Sequence, residues 1–131
     1  VGSDMCVRDS AKDADLVLVA DGYAFTEGPA SDKEGNVYFT DQPNNRILKW
    51  DAQRNTVSTY MNPSGRANGL YLDHQGNLLA AADEKNELWL IDTDRKVRIL
   101  TDQFENKKYN GPNDIWVYKI GGIYFTDPYY Q

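Results

Sequence analysis

The chain contains its own copy. Glu27-Gly28-Pro29-Ala30-Ser31-Asp32-Lys33-Glu34-Gly35-Asn36-Val37-Tyr38-Phe39-Thr40-Asp41 aligns with Asn68-Gly69-Leu70-Tyr71-Leu72-Asp73-His74-Gln75-Gly76-Asn77-Leu78-Leu79-Ala80. A third pass follows as Asn113-Asp114-Ile115-Trp116-Val117-Tyr118-Lys119-Ile120-Gly121-Gly122-Ile123-Tyr124-Phe125-Thr126-Asp127. Asn68 lies 41 residues after Glu27, and Asn113 lies 45 after Asn68. In all three copies a glycine stands eight residues on, at Gly35, Gly76 and Gly121. The later halves repeat as well, Asn45 to Asp51 aligning with Asn86 to Asp92. A fixed period of this length requires stacked supersecondary units and rules out most single-core folds.

The units are built of strands. Brief apolar runs at Asp15–Ala20, Val37–Thr40, Ile47–Trp50, Thr56–Met61, Leu70–Leu72, Leu88–Ile91, Val97–Leu100, Ile115–Tyr118 and Ile123–Thr126 are mostly bounded by Gly, Asn, Asp or Pro. Several alternate with polar residues, and no window sustains a period near 3.6, so the chain reads as all-β with negligible helix. Four strands repeating every ~40–50 residues is the pattern of a β-propeller blade. One blade spans 25–61 and a second 67–101, while 113–127 supplies the first two strands of a third. Residues 1–14 form an N-terminal extension ahead of the propeller part at 15–131. Asp15–Ala20 is expected as a strand with no blade of its own, completing the last blade of a closed ring. Two and a half blades would leave open sheet edges. The ring is therefore expected to be completed by chain beyond Gln131, by another chain, or by a second copy of this one.

Composition narrows the partners. Fourteen basic against twenty acidic residues give a net charge of −6, with no basic block. Nucleic acid is disfavoured, because its binding is driven by clustered Lys and Arg. The longest apolar run, Leu16–Ala20, is far short of the ~20 residues of a membrane helix, so no membrane partner is expected. Cys6 is the single cysteine, which excludes a disulfide within the chain and leaves the compartment open among cytoplasmic, periplasmic and secreted.

In a propeller the leading strand of each blade lines the central channel. Glu27, Asn68 and Asn113 occupy equivalent places there, so one carboxylate and two amides face one opening. Hard oxygen donors suit Ca²⁺ first, then Mg²⁺ or Mn²⁺. The alternative is that these side chains bond neighbouring backbone. With one His and one Cys, a zinc site of the usual nitrogen and sulfur ligands cannot be assembled. His74 falls in a hairpin turn and reads as a surface residue. Asp32-Lys33-Glu34-Gly35-Asn36 looks superficially like the start of a calcium loop. Its counterpart Asp73-His74-Gln75-Gly76-Asn77 lacks the acidic alternation, which favours a plain hairpin in both places. Trp50, Trp89 and Trp116 are expected to pack between blades.

The motifs Phe25-Thr26-Glu27-Gly28-Pro29, Asn36-Val37-Tyr38-Phe39-Thr40-Asp41, Arg66-Ala67-Asn68-Gly69-Leu70, Asn110-Gly111-Pro112-Asn113-Asp114 and Tyr124-Phe125-Thr126-Asp127-Pro128-Tyr129-Tyr130 occur in one order. Together they resemble the regucalcin/gluconolactonase family, the senescence-marker-protein-like lactonases, over its N-terminal half. That resemblance implies part of a six-bladed propeller. It also implies a hydrolase that opens sugar lactones or related esters at one divalent cation, Ca²⁺ or another such as Mg²⁺, Mn²⁺ or Zn²⁺. By motif, Glu27 becomes a metal ligand and Asn113 a metal or substrate ligand. Asn68 falls in the pocket, and Asp127 and Tyr129 line the substrate side. The family's two other ligands, an Asn in a later N-G-L motif and an Asp in a later P-D-G motif, have no counterpart here. The general base is therefore expected beyond Gln131, and residues 1–131 alone are expected to be nearly inactive. A non-catalytic propeller scaffold, or an inactive fragment of the enzyme, would share the blade repeat.

Overall fold

The computed structural model describes residues 14–129. All but the last residue of the expected N-terminal extension, and Cys6 with it, lie outside the described residues. Four antiparallel strands, β1 (Thr26–Ser31), β2 (Val37–Asp41), β3 (Arg46–Asp51) and β4 (Thr56–Met61), form the first blade in that spatial order. The second repeats it with β5 (Ala67–Leu72), β6 (Leu78–Ala82), β7 (Glu87–Ile91) and β8 (Val97–Thr101). A small hairpin, β9 (Gln103–Phe104) with β10 (Lys107–Lys108), precedes the two-stranded start of a third blade, β11 (Ile115–Val117) with β12 (Ile123–Phe125). Helix among the described residues is confined to two 3-10 turns, Gln42–Asn44 and Asp83–Lys85, at equivalent places in the two blades. None is long and apolar enough to cross a membrane.

The repeat extends to irregularities. The β1–β2 ladder slips between Glu27 and Ala30, and β5–β6 slips between Ala67 and Leu70. The third and fourth strands slip between Ile47 and Leu48 in one blade and between Leu88 and Trp89 in the other. The first hairpin of each blade is closed by the same side chains. Asp32 Oδ1 accepts the Glu34 and Asn36 N–H groups at 3.1 and 2.8 Å, and Asn36 Nδ2 donates to Asp32 Oδ2 at 2.8 Å. Asp73 does the same with Gln75 and Asn77, each at 2.8 Å. These carboxylates serve as turn acceptors, which gives the plain-hairpin expectation its physical basis.

Alternation along β6 explains the layering. Leu78 and Ala80 point into a cluster with Tyr38, Ile47, Ala67, Leu70 and Ile91 between the first two blades. Leu79 and Ala81 point the other way, joining Leu88 and Ile115 between the second blade and the third sheet. Every residue of β6 is buried, as a strand packed on both faces must be. The outer strand β8 is largely exposed.

Asp15–Ala20 pairs with none of the described strands; its expected partner, the last blade of a closed ring, is not among them. Leu16 and Leu18 are mostly exposed, while Tyr23 packs edge-on to Phe39 at 5.4 Å. Of the three tryptophans only Trp89 packs into the core between the two complete blades. Trp50 is paired with Val37 and Val57, which turns its ring to the free face of the first blade, where its Nε1 donates to Asn55 Oδ1 at 3.0 Å. Trp116 is half exposed and leans on Tyr118 and Tyr124 on the open third sheet. The β9–β10 hairpin was not expected at all. Its two-residue turn, Glu105-Asn106, has both φ angles positive (49° and 61°), the signature of a type I′ turn.

Candidate functional site

The strand register fixes which end of the molecule carries the candidate residues. Thr26 pairs with Asp41 and Asp41 with Arg46, so the start of β1, the end of β2 and the first 3-10 turn share one end. Ala67, Ala82 and Glu87 repeat that arrangement. The Asp32 and Asp73 hairpins close the opposite end. Glu27, Asn68 and Asn113 thus lie at one end, each within two residues of the start of its blade's leading strand.

Two glycines let these positions approach. A Cβ on Gly28 (φ +53°) would lie 2.7 Å from Leu70 N and closer still to Asn68 O. A Cβ on Gly69 would lie 2.5 Å from Asn113 O and 2.8 Å from Asp114 Cα. In place of those side chains, backbone meets backbone: Gly69 N donates to Asn113 O at 2.6 Å. Thr40 Oγ1 closes the other seam, donating to Asn68 O at 3.1 Å in a buried position. The residue after Glu27 therefore sits on Asn68, and the residue after Asn68 sits on Asn113. This close backbone approach is what glycine permits and any other residue obstructs.

Hydrogen bonds at these positions run through the backbone. Among the described residues the side-chain oxygens of Glu27, Asn68 and Asn113 are uncommitted. Asn68 is 7 % exposed, yet its amide is not sealed from solvent, since among the described residues no buried side-chain polar atom lacks a partner. Glu27 and Asn113 are half-buried. The donor set is one carboxylate and two amide oxygens, all hard and carrying a single charge. That chemistry fits part of the six to eight oxygens that surround Ca²⁺. The described residues contain no group of three His, Cys, Asp or Glu side chains that could hold a metal, so the amides are indispensable to this reading.

A cleft of about 580 Å³ lies on the free face of the first blade, lined by Val17–Ala20, Phe39, Trp50 and other apolar side chains. Glu27 reaches its edge, whereas Asn68 and Asn113 do not line it. Its lining is that of a sheet face without a neighbour, so it does not mark the channel mouth.

Asp127, expected on the substrate side, carries hydrogen bonds to the loop before Asn113. Its Oδ1 accepts the backbone N–H groups of Asn110 and Gly111 at 2.8 and 2.9 Å, and its Oδ2 accepts from Asn110 Nδ2 at 3.1 Å. These bonds commit the carboxylate to the loop that leads into Asn113. Tyr129 is largely exposed beyond β12. His74 is an exposed hairpin residue, as expected.

Asp41, unremarked as a functional position in the sequence, is the most perturbed acid of the site. Its carboxylate is completely buried. Oδ1 accepts the N–H groups of Ala24 and Phe25 at 3.0 and 3.2 Å. Oδ2 takes Asn44 Nδ2 at 2.8 Å, and Arg46 Nε and Nη2 at 3.0 and 2.7 Å. Burial pushes this carboxyl up, but the bonds from Asn44, Arg46, Phe25 and Ala24 outweigh it and bring it from 3.8 to about 2. A depressed folded-state pKa stabilises the fold above the unfolded value, and that stability is lost as pH falls through the folded one. Between pH 4 and pH 2 the protein should therefore lose about 2 kcal/mol through this group. Urea denaturation across that window should show a shallower pH dependence in Asp41→Asn than in the parent. Equal slopes would contradict the assignment.

The comparisons with known proteins agree with this fold. The model of the SMP-30/gluconolactonase/LRE-like region matches residues 25–131. A gluconolactonase of Zymomonas mobilis is 30% identical over 130 residues, covering 88% of this chain and 36% of its own. The solved gluconolactonase of Xanthomonas campestris superposes with a TM-score of 0.79 at 28% identity, over 84% of this chain and 37% of that one. A virginiamycin B lyase of Staphylococcus aureus, at 18% identity over 78% of this chain and 34% of its own, has a TM-score of 0.63 and shares the fold. The chain spans little more than a third of the length of the gluconolactonases it matches. A matched span that begins at the Phe25-Thr26-Glu27-Gly28-Pro29 motif and runs through both complete blades places the chain in the SMP-30/gluconolactonase/LRE-like family.

Proposed function

We propose that this chain carries the N-terminal share of a lactone-opening site, with Glu27, Asn68 and Asn113 as oxygen ligands for one divalent cation, Ca²⁺ in first place. The observation that carries the reading is the paired close approach of Gly28 to Asn68 and of Gly69 to Asn113, which sets three uncommitted oxygen-bearing residues in sequence at one end of the blades. A cation bound there would supply Lewis acidity for a lactone carbonyl. Glu27 contributes the only formal charge of the three and acts as an anchor, not as a base. Asn68 and Asn113 contribute neutral oxygens that fix orientation without adding charge. The carboxylates of Asp41 and Asp127 are held by backbone and side-chain donors and stay out of proton transfer. The free faces of the first blade and of the third sheet suit the remaining blades of the propeller, whichever chain provides them. A sugar lactone, as the relatives' name suggests, is the substrate class.

The test is lactone opening by the protein with its ring complete, followed as acid release at constant pH with gluconolactone. Chelator is expected to reduce the rate to that of buffer, and added Ca²⁺ to restore it. A rate indifferent to both would refute the cation-dependent reading, and no acceleration over buffer would refute the lactonase reading.

A further inference from the structure

The candidate ligands share a supporting device that the sequence repeat only partly reveals. Asp41 ends β2, and its Oδ1 grips the N–H groups of Ala24 and Phe25, three and two residues before Glu27. Asp127 follows β12, and its Oδ1 grips the N–H groups of Asn110 and Gly111, three and two residues before Asn113. Both acids close a Phe-Thr-Asp triplet, 39–41 and 125–127. The second blade has Ala80-Ala81-Ala82 there and no acid to do the work. In that blade the oxygen comes from its neighbour. Asn45, the left-handed residue closing the first 3-10 turn, turns Oδ1 onto the N–H groups of Ser64 and Arg66 at 2.9 and 2.7 Å, four and two residues before Asn68. It also accepts the Ser64 hydroxyl at 3.2 Å.

We infer that Asp41, Asn45 and Asp127 are positioning residues, each fixing the backbone that delivers one candidate ligand, Glu27, Asn68 and Asn113 respectively. The inference rests on the proposed function for the meaning of "ligand", but the grip itself is a property of the fold. Each entry loop has backbone donors that no ladder satisfies, and one side-chain oxygen takes two of them at once. This fixes two consecutive or alternate peptide planes just upstream of the ligand. A ligand whose supporting shell is fixed loses less entropy on binding, and losing such support costs metal sites roughly 10–100-fold in affinity. The blade without an acid is also the one whose entry loop touches the preceding 3-10 turn, so Asn45 couples the first blade to the placement of Asn68.

Asp127 gives the cleanest test because Arg46 is not involved there. In the protein with its ring complete, Asp127→Ala and Asp127→Asn are compared with the parent by nitrogen relaxation and by calorimetric titration with Ca²⁺. The Ala variant is expected to loosen the N–H vectors of Asn110, Gly111 and Asn113 from rigid order parameters of about 0.85 to about 0.6. Its Ca²⁺ affinity should fall about tenfold. The Asn variant keeps an acceptor oxygen and should restore both toward the parent values. A folded Asp127→Ala chain with unchanged order at these three residues would overturn the positioning role, since a residue that merely stabilises the fold would lower the melting temperature without that signature. Should the Ala variant not fold, amide exchange in the parent decides. The Asn110 and Gly111 amides should be protected roughly a hundredfold over coil rates, and exchange at coil rates overturns the grip. Loosening without any Ca²⁺ binding in the parent would keep the positioning role and refute the cation reading instead.

Discussion

Glu27→Gln is expected to weaken Ca²⁺ binding by roughly tenfold to a hundredfold while leaving the melting temperature nearly unchanged. Gln preserves the shape and one oxygen of the side chain and removes only the charge. Among Glu27, Asn68 and Asn113 that charge is unique, and ligand charge count is a main determinant of calcium affinity. Glu27 makes no ion pair among the described residues, so folding loses no charged contact when the carboxylate becomes an amide. With the ring complete, gluconolactone opening should fall by at least about a hundredfold in the same variant. Calorimetric titration of the protein with its ring complete, with parallel thermal melts, checks the first part, and constant-pH acid release checks the second. Unchanged affinity in a folded Glu27→Gln protein would remove Glu27 from the site.

Gly69→Ala should be among the most damaging single-methyl additions in the chain, costing about 3 kcal/mol. The new Cβ would stand 2.5 Å from Asn113 O and 2.8 Å from Asp114 Cα, both backbone atoms that cannot rotate aside. Relief requires the leading strands to separate, which lengthens the Gly69 N to Asn113 O hydrogen bond as well. Gly122→Ala is the control. Its Cβ would meet nothing nearer than a Tyr124 ring carbon at 3.6 Å, and a loss within about 0.5 kcal/mol is expected. Urea midpoints of the two variants measure the difference. Equal midpoints would mean that the second blade and the third sheet do not approach as described.

The repeat was legible because its causes are local. An Asp that closes a hairpin on Gly and Asn leaves the same five-residue trace at 32–36 and 73–77, and the strands on either side alternate around it. The candidate ligands were legible for the same reason, as equivalent places in a period. That Asp15–Ala20 pairs with none of the described strands was not. Its apolar pattern suits a strand, but pairing depends on a partner, and no local pattern supplies one. Trp50 and Trp89 read alike in sequence and point to the same face of their blades; they differ because the first blade covers Trp89, while no described strand covers Trp50. The β9–β10 hairpin is two residues deep, too short for alternation, and only the Glu105-Asn106 turn betrays it. The roles of Asp41 and Asp127 were half visible. The recurring Phe-Thr-Asp triplet was on the page, but its meaning depends on which backbone amides arrive beside it, a contact between segments 16 or more residues apart. Asn45 could not have been found this way, because in its blade the gripping oxygen comes from the blade before.

The most direct test titrates Mn²⁺ into the nitrogen-labelled protein with its ring complete, at substoichiometric levels, and follows side-chain amide signals by NMR. The account predicts that the Asn68 and Asn113 amide signals broaden together, along with backbone signals around Glu27, while Asn36 and Asn77 in the far hairpins stay sharp. Broadening centred on the Asp32 and Asp73 hairpins, or on only one of the two asparagines, would contradict it.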